Sequence, residues 1–223
     1  MKNLSSYIDH TLLKSTATEA DFIKLCAEAK QYHFASVCVP PSAVSLASKE
    51  LKDTDVKICT VIGFPLGYNL TTTKVFETDR AVAQGADEID MVANLNYFKS
   101  NNLKACELDI EEVVRVASGR IVKVILEICY LNHQEIAELS KICEQAGAGF
   151  VKTSTGFATG GATIEAVEIM RQSVGANVGV KASGGIRDYE TALKMVNAGA
   201  NRLGTSQSIA IANPGSTTNK DGY

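Results

Sequence analysis

Three times along this chain a helix-patterned stretch passes through a short glycine turn straight into a β-rich run. The turns are Gln84-Gly85-Ala86-Asp87, Ala146-Gly147-Ala148-Gly149 and Ala198-Gly199-Ala200-Asn201. Glycine there takes the left-handed conformation that ends a helix, and the small residue after it lets the chain turn tightly into a sheet. Helix, short turn and parallel strand in repetition is the grammar of βα units. β-rich runs at 7–10, 35–39, 57–62, 88–93, 122–128, 150–154, 179–183 and 202–205 alternate with helical stretches at 19–33, 42–52, 72–84, 102–117, 132–145, 162–173 and 189–197. The first of these helices sets Phe22, Leu25, Cys26 and Ala29 on one face. Thr18, Ser42 and Asp188 are the expected N-caps.

Eight strands in 223 residues leave about 28 residues per unit, close to the minimum for a parallel crossover. The sequence therefore predicts an α/β, single-domain (β/α)8 TIM barrel over residues 1–211, with a polar tail at 212–223. The rival is a doubly wound sheet, but no GxGxxG follows the first strand and no Walker-type loop is present. The 22 basic and 25 acidic residues give a net charge of −3, with no basic stripe, which argues against a nucleic-acid partner. The least charged stretch, 58–73, is broken by Gly63, Pro65 and Gly67, so no membrane span is expected. Six cysteines without a CxxC, and an N-terminus without an apolar leader core, read as reduced thiols of a cytoplasmic protein. Three histidines without ligand-like spacing predict no metal, and no cofactor is expected.

In a barrel, alternate strand residues face inward and chemistry gathers at the strands' C-terminal ends. Three strands carry one charge between apolar or small neighbours: Ile89-Asp90-Met91, Val151-Lys152-Thr153 and Val180-Lys181-Ala182. Period-two geometry turns Asp90, Lys152 and Lys181 inward and the flanking Ile89, Met91, Val151 and Val180 toward the helices. Buried charges are too costly to stand apart, so the three should meet. A structural ion cluster is the plain alternative. Two cations against one anion suit a different purpose, which is making one amine acidic enough to act as a nucleophile. That shift, from about 10.4 to about 7, needs roughly 4.6 kcal/mol. A second ammonium about 5 Å away supplies about 3.3 kcal/mol at an effective dielectric near 20, and burial adds more. Such an amine forms Schiff bases with carbonyls, and a nearby carboxylate relays the protons.

Two glycine loops leave the last strands: Ser183-Gly184-Gly185-Ile186-Arg187 and Gly204-Thr205-Ser206-Gln207. Barrels commonly hold phosphate at these two places, through backbone N–H groups. Thr153-Ser154-Thr155-Gly156 adds hydroxyls to the same rim. Asp9 ends the first strand and is either a hydrogen-bonding site residue or structural. Cys38 can face inward, although a buried thiol is usually a small hydrophobe. Glu127 lies in the apolar run of strand five without an evident role.

At these residues the chain resembles the deoxyribose-phosphate aldolases, a class I aldolase family on the TIM-barrel fold. The resemblance rests on Tyr7-Ile8-Asp9-His10-Thr11-Leu12-Leu13, Gly85-Ala86-Asp87-Glu88-Ile89-Asp90-Met91-Val92, Phe150-Val151-Lys152-Thr153-Ser154-Thr155-Gly156-Phe157 and Val180-Lys181-Ala182-Ser183-Gly184-Gly185-Ile186-Arg187. It implies reversible cleavage of 2-deoxy-D-ribose 5-phosphate to D-glyceraldehyde 3-phosphate and acetaldehyde. By position, Lys152 is then the Schiff-base lysine, Lys181 its electrostatic and proton-transfer partner, and Asp90 the acid/base residue. Gly156, Gly184, Gly185, Gly204, Thr205 and Ser206 are the expected substrate and phosphate contacts. Asp9, Cys38 and the terminal Tyr223 are auxiliary candidates, the last because family members end in a tail whose tyrosine serves proton transfer. One departure is Phe157, where some members carry a lysine. Two readings stay open beside this one: another phosphate-binding barrel enzyme, and a catalytically silent sugar-phosphate binder. The expected partners are a small sugar phosphate and an aldehyde. Oligomeric state is left open, a homodimer being one option.

Overall fold

In the computed structural model, which describes residues 2–214, every β-rich run becomes a strand followed by a helix. The strands are β1 (Ile8–Thr11), β2 (Ser36–Val39), β3 (Lys57–Ile62), β4 (Glu88–Val92), β5 (Ile121–Ile125), β6 (Phe150–Lys152), β7 (Gly179–Ser183) and β8 (Arg202–Thr205). They pair in sequence order, all parallel, and β8 closes back on β1. The helices are α1 (Glu19–Tyr32), α2 (Val44–Glu50), α3 (Thr71–Ala83), α4 (Leu95–Lys99), α5 (Leu103–Val116), α6 (His133–Gln145), α7 (Ile164–Ser173), α8 (Tyr189–Asn197) and α9 (Ser208–Ala212). The glycines of the three repeated turns, Gly85, Gly147 and Gly199, all have positive φ, as a helix-ending glycine should.

Caps set where helices begin. The Thr18 hydroxyl accepts from the Asp21 N–H and the Asp21 carboxylate accepts from the Thr18 N–H, a reciprocal box that opens α1. Asp188 caps α8 through the Thr191 N–H. Ser42 does not cap α2: it lies inside a 3-10 turn, Pro41–Ala43, whose proline fixes the entry, and α2 starts one step later. Strand β5 also stops short of the expected residue 128, because Glu127 adopts a left-handed φ of 51° and Ile128–Tyr130 form a 3-10 turn.

The main apolar core lies between barrel and helices and contains Ile89, Met91, Val151 and Val180, each fully buried. Each such side chain contributes about 1.5–3 kcal/mol through burial. A separate apolar patch of Leu13, Cys38, Cys59 and Val61 lines the inner wall at β2 and β3. All six cysteines are free and only Cys129 is exposed. No helix among the described residues is long and apolar enough to cross a membrane. Most of the expected tail lies outside the described residues, as does Tyr223; α9 extends through Ala212, the tail's first position.

Candidate active site

Strand alternation brings the predicted charges together, and more besides. Asp90 from β4, Lys152 from β6 and Lys181 from β7 meet inside the barrel. Both amines donate to the same oxygen, Asp90 Oδ2, each at 2.7 Å, so they are at most twice that distance apart. Lys181 Nζ also lies 2.5 Å from Asp9 Oδ2. Lys123, the central residue of β5, lies 2.8 Å from Asp90 Oδ1, 2.7 Å from Glu88 Oε2 and 3.7 Å from Asp9 Oδ2. Arg202 reaches Asp9 and Glu88 from β8 and closes the cluster below. Lys123, Glu88 and Arg202 are not among the residues the sequence reading singles out. Lys123 has the same signature as the others, a charge amid the apolar run Ile121-Val122-Lys123-Val124-Ile125. Glu88 and Arg202 open their strands, where a charge normally faces water.

Four cations therefore face three carboxylates, one positive charge in excess when all are ionised. Burial disfavours the Lys181 ammonium, but Asp9 and Asp90 more than offset this and hold it above the usual lysine range. Lys123 is likewise raised, against its own burial, chiefly by Asp90. Burial also opposes ionisation of Asp90, yet Lys123, Lys152 and Lys181 hold its carboxyl well below the usual range. Asp9 is lowered in the same way, against burial, by Lys181 and Arg202. The four cations differ in how many carboxylate partners they have. Lys152 has one such partner, Asp90. Lys181 and Arg202 have two each and Lys123 three.

Lys152 is also the cluster amine that reaches open space. It lines a cavity of about 170 Å3 at the C-terminal ends of the strands, with Gly156, Gly184 and Gly185 on one side. Gly204, Thr205 and Ser206 line the other, so the expected phosphate loops and the lysine share one chamber. Behind Lys152, Asp90 joins it to Lys181, and Lys181 to Asp9, through ion pairs. Gly184 and Gly185 have φ of 87° and 79°, left-handed conformations that glycine adopts without a side-chain clash. A Cβ on Gly184 would stand 2.9 Å from Gly161 Cα, so this loop packs directly on the one after β6. Gly204 serves Lys181 instead, since a Cβ there would come within 3.1 Å of Lys181 Cε and its bareness makes room for that side chain.

Two further residues shape this chamber, and a third lies outside it. Arg187, exposed, is the one guanidinium on its wall among the described residues. Phe157, in place of a lysine, lies away from the chamber and stacks edge-on against Phe64 at 5.2 Å. His10 bridges Ser208 Oγ at 2.8 Å and Glu28 Oε2 at 2.9 Å, which pins the turn between β8 and α9 that carries Ser206. Cys38 does face inward, near Cys59 and Asp90. Cys59 donates to Asp90 Oδ1 at 3.1 Å. A cation held by this Cys38, Cys59 and Asp90 set would have to displace the ammonium groups that already neutralise the carboxylate, so the donor set does not favour a metal.

A profile of the DeoC/LacD family aldolases matches residues 4–209. The chain belongs to the DeoC/LacD aldolase family. Among its relatives, the deoxyribose-phosphate aldolase of Geobacillus sp. (strain WCH70) is 54% identical over 220 residues, which is 98% of either chain. The solved aldolase QR15 superposes with a TM-score of 0.92 at 44% identity over 96% of both chains. The deoxyribose phosphate aldolase of Aeropyrum pernix, described as uniquely tetrameric, has a TM-score of 0.87 at 36% identity and covers 94% of this chain and 89% of its own. This DeoC/LacD aldolase thus shares its whole barrel with its relatives, including every strand that feeds the lysine cluster.

Proposed function

We propose that this chain is a class I deoxyribose-phosphate aldolase, with Lys152 as the amine that forms the Schiff base. One observation carries the assignment: Lys152 is the cluster cation with a single carboxylate partner and an opening on the chamber of the glycine loops. Its free amine adds to the C1 aldehyde of open-chain 2-deoxyribose 5-phosphate, and the carbinolamine oxygen leaves as water. The imine then draws the electrons of the C2–C3 bond, the C3 hydroxyl gives up its proton, and glyceraldehyde 3-phosphate departs. The remaining enamine takes a proton at C2, and hydrolysis of that imine releases acetaldehyde and restores the lysine.

Asp90 touches both amines through one oxygen. Held ionised by its neighbours, it relays the protons of the carbinolamine and imine steps at Lys152 rather than storing one. Lys181, fixed as an ammonium, supplies the repulsion that favours a neutral neighbour. The phosphate lies against the backbone N–H groups of Gly184, Gly185 and Ser206, with Arg187 as the cation at the edge. The buried free thiols fit a reducing compartment, the cytoplasm. Leu66, Tyr68, Leu70 and Phe76 form an exposed apolar set on and beside the loop before α3, in a stretch poor in charge, which suits pairing with a second copy.

Release of acetaldehyde from deoxyribose 5-phosphate tests the activity. Borohydride reduction with acetaldehyde, followed by peptide mass spectrometry, tests the residue. A label on Lys181 in place of Lys152 would overturn the assignment.

A further inference from the structure

Bond cleavage needs a base for the C3 hydroxyl, and the three carboxylates of the cluster are poor ones, since each is bound to cations. A fourth carboxylate stands just outside the cluster. Glu127 is 4% exposed and sits on non-glycine backbone with a φ of 51°, a strained conformation that marks a position held for a reason. Its side chain accepts a short hydrogen bond from the Thr155 hydroxyl, and the Thr155 N–H at 3.2 Å. Thr155 Oγ1 in turn accepts the Phe157 N–H at 3.0 Å. Its hydrogen and one lone pair are thus committed, and one lone pair is left for another donor.

Thr155 is the wall between two spaces. It lines the chamber of Lys152 and the glycine loops, and it also lines a second cavity of about 70 Å3 that holds Glu127. Pro65, Leu66, Leu95 and Phe157 make that second space largely apolar, and it is too small for the sugar phosphate. Thr155 thus stands between the main chamber and Glu127.

We propose that Thr155 and Glu127 form the proton relay for carbon–carbon cleavage, an inference that rests on the aldolase reading above. As the C2–C3 bond breaks into the imine, the C3 hydroxyl passes its proton to Thr155 Oγ1. Thr155 passes its own hydrogen to the Glu127 carboxylate, and C3 becomes the carbonyl of the departing aldehyde. The enamine nitrogen receives the electron pair, so charge and protons balance. In the synthetic direction the same path runs backward. Thr155 is the residue that touches substrate; Glu127 acts through it, as the positioning residue that aims the hydroxyl and takes its hydrogen. The environment agrees: burial pushes the Glu127 carboxyl up, while the Thr155 hydrogen bonds and Lys152 pull it down less strongly. Carboxyls pushed to opposite sides of their ordinary value, as Glu127 and Asp90 are here, divide acid–base work between them. The ionisable groups facing Glu127 are Lys152 on β6 and Tyr130 on its own turn.

The test separates cleavage from imine chemistry, because acetaldehyde alone has no C3 hydroxyl. In Glu127→Gln, kcat for cleavage of deoxyribose 5-phosphate should fall about 100-fold or more, with KM within about threefold. Borohydride trapping of acetaldehyde on Lys152 should keep the wild-type rate. The acidic side of the cleavage pH profile should lose the step at which wild-type Glu127 gains its proton. Thr155→Val should match it, the double variant should lose no more than either single one, and Thr155→Ser should recover most of the rate. Wild-type cleavage in Glu127→Gln overturns the relay, and so does equal loss of cleavage and trapping, which marks a structural role. Absence of trapping in the wild-type protein overturns the aldolase reading itself, and the relay with it.

Discussion

Replacing Lys181 by methionine removes one ammonium while keeping most of the side-chain volume. In the wild-type cluster that ammonium shares Asp90 Oδ2 with Lys152 and lies 2.7 Å from that oxygen. At a separation of about 5 Å and an effective dielectric near 20, two unit charges repel by about 3.3 kcal/mol. Its loss, a factor of about 250 in an equilibrium constant, weakens the drive for the cluster to shed a positive charge. Charge counting gives the same direction, because three cations then balance three carboxylates and no proton is in excess. The variant should still fold. Asp9 keeps Arg202, and Asp90 keeps Lys123 and Lys152, so the cost belongs at the low end for breaking a buried pair, about 3 kcal/mol. For a chain of this length that lowers Tm by about 6–12 °C. The assay is the rate of borohydride trapping with acetaldehyde between about pH 6 and 9. Lys181 is held above the usual lysine range, so its stabilising pairs are complete throughout that window and are lost only at higher pH. Its own titration therefore contributes nothing to the wild-type profile. Trapping at neutral pH should fall by about two orders of magnitude and recover as pH rises. A folded Lys181→Met protein that traps acetaldehyde within about threefold of wild type at neutral pH would refute the electrostatic argument.

Two other outcomes follow from the site. Ser206→Asp places a carboxylate on the wall of the chamber and should raise KM for deoxyribose 5-phosphate by about 10-fold or more, with little change for deoxyribose. Steady-state kinetics on both sugars checks this, and equal losses would remove the loop from phosphate recognition. Asp9 and Asp90 are held below the usual carboxylate range. The stability they contribute is complete above about pH 3.9 and is lost as pH falls further toward their folded-state values. Urea midpoints should therefore owe no change to them between about pH 7 and 5 and drop steeply below about pH 4, less so in Asp9→Asn.

Much of this is legible in the residues because barrel strands put period-two patterning under a strong penalty. A charge such as Asp90 or Lys152 between apolar neighbours has only the barrel interior to face, and the helix layer claims the rest. Strands β3, β7 and β8 and helix α8 run over the residues their pattern predicts. Pattern fails where an element is too short to show a period. The five-residue helices α4 and α9 and the 3-10 turn before α2 are of this kind. Glu127 is the instructive miss. Nothing in a glutamate announces a left-handed backbone, so the run from Val122 reads as strand through Ile128. The hydrogen bonds to Thr155 that hold it there join residues 28 apart. Arg202 and Glu88 show a related limit, since a charge at a strand's first residue is solvent-facing in most sheets and turns into the ion cluster here only because the barrel closes.

The ionic interior of this barrel also has a thermal consequence. Hydration of charged groups becomes less favourable as temperature rises, so the penalty for holding Asp9, Glu88, Asp90, Lys123 and Lys181 away from water shrinks on heating. An interior packed with aliphatic side chains gains no such relief. Adaptation of this scaffold to higher temperature can therefore proceed by changing helix packing and loops while the ionic cluster stays as it is.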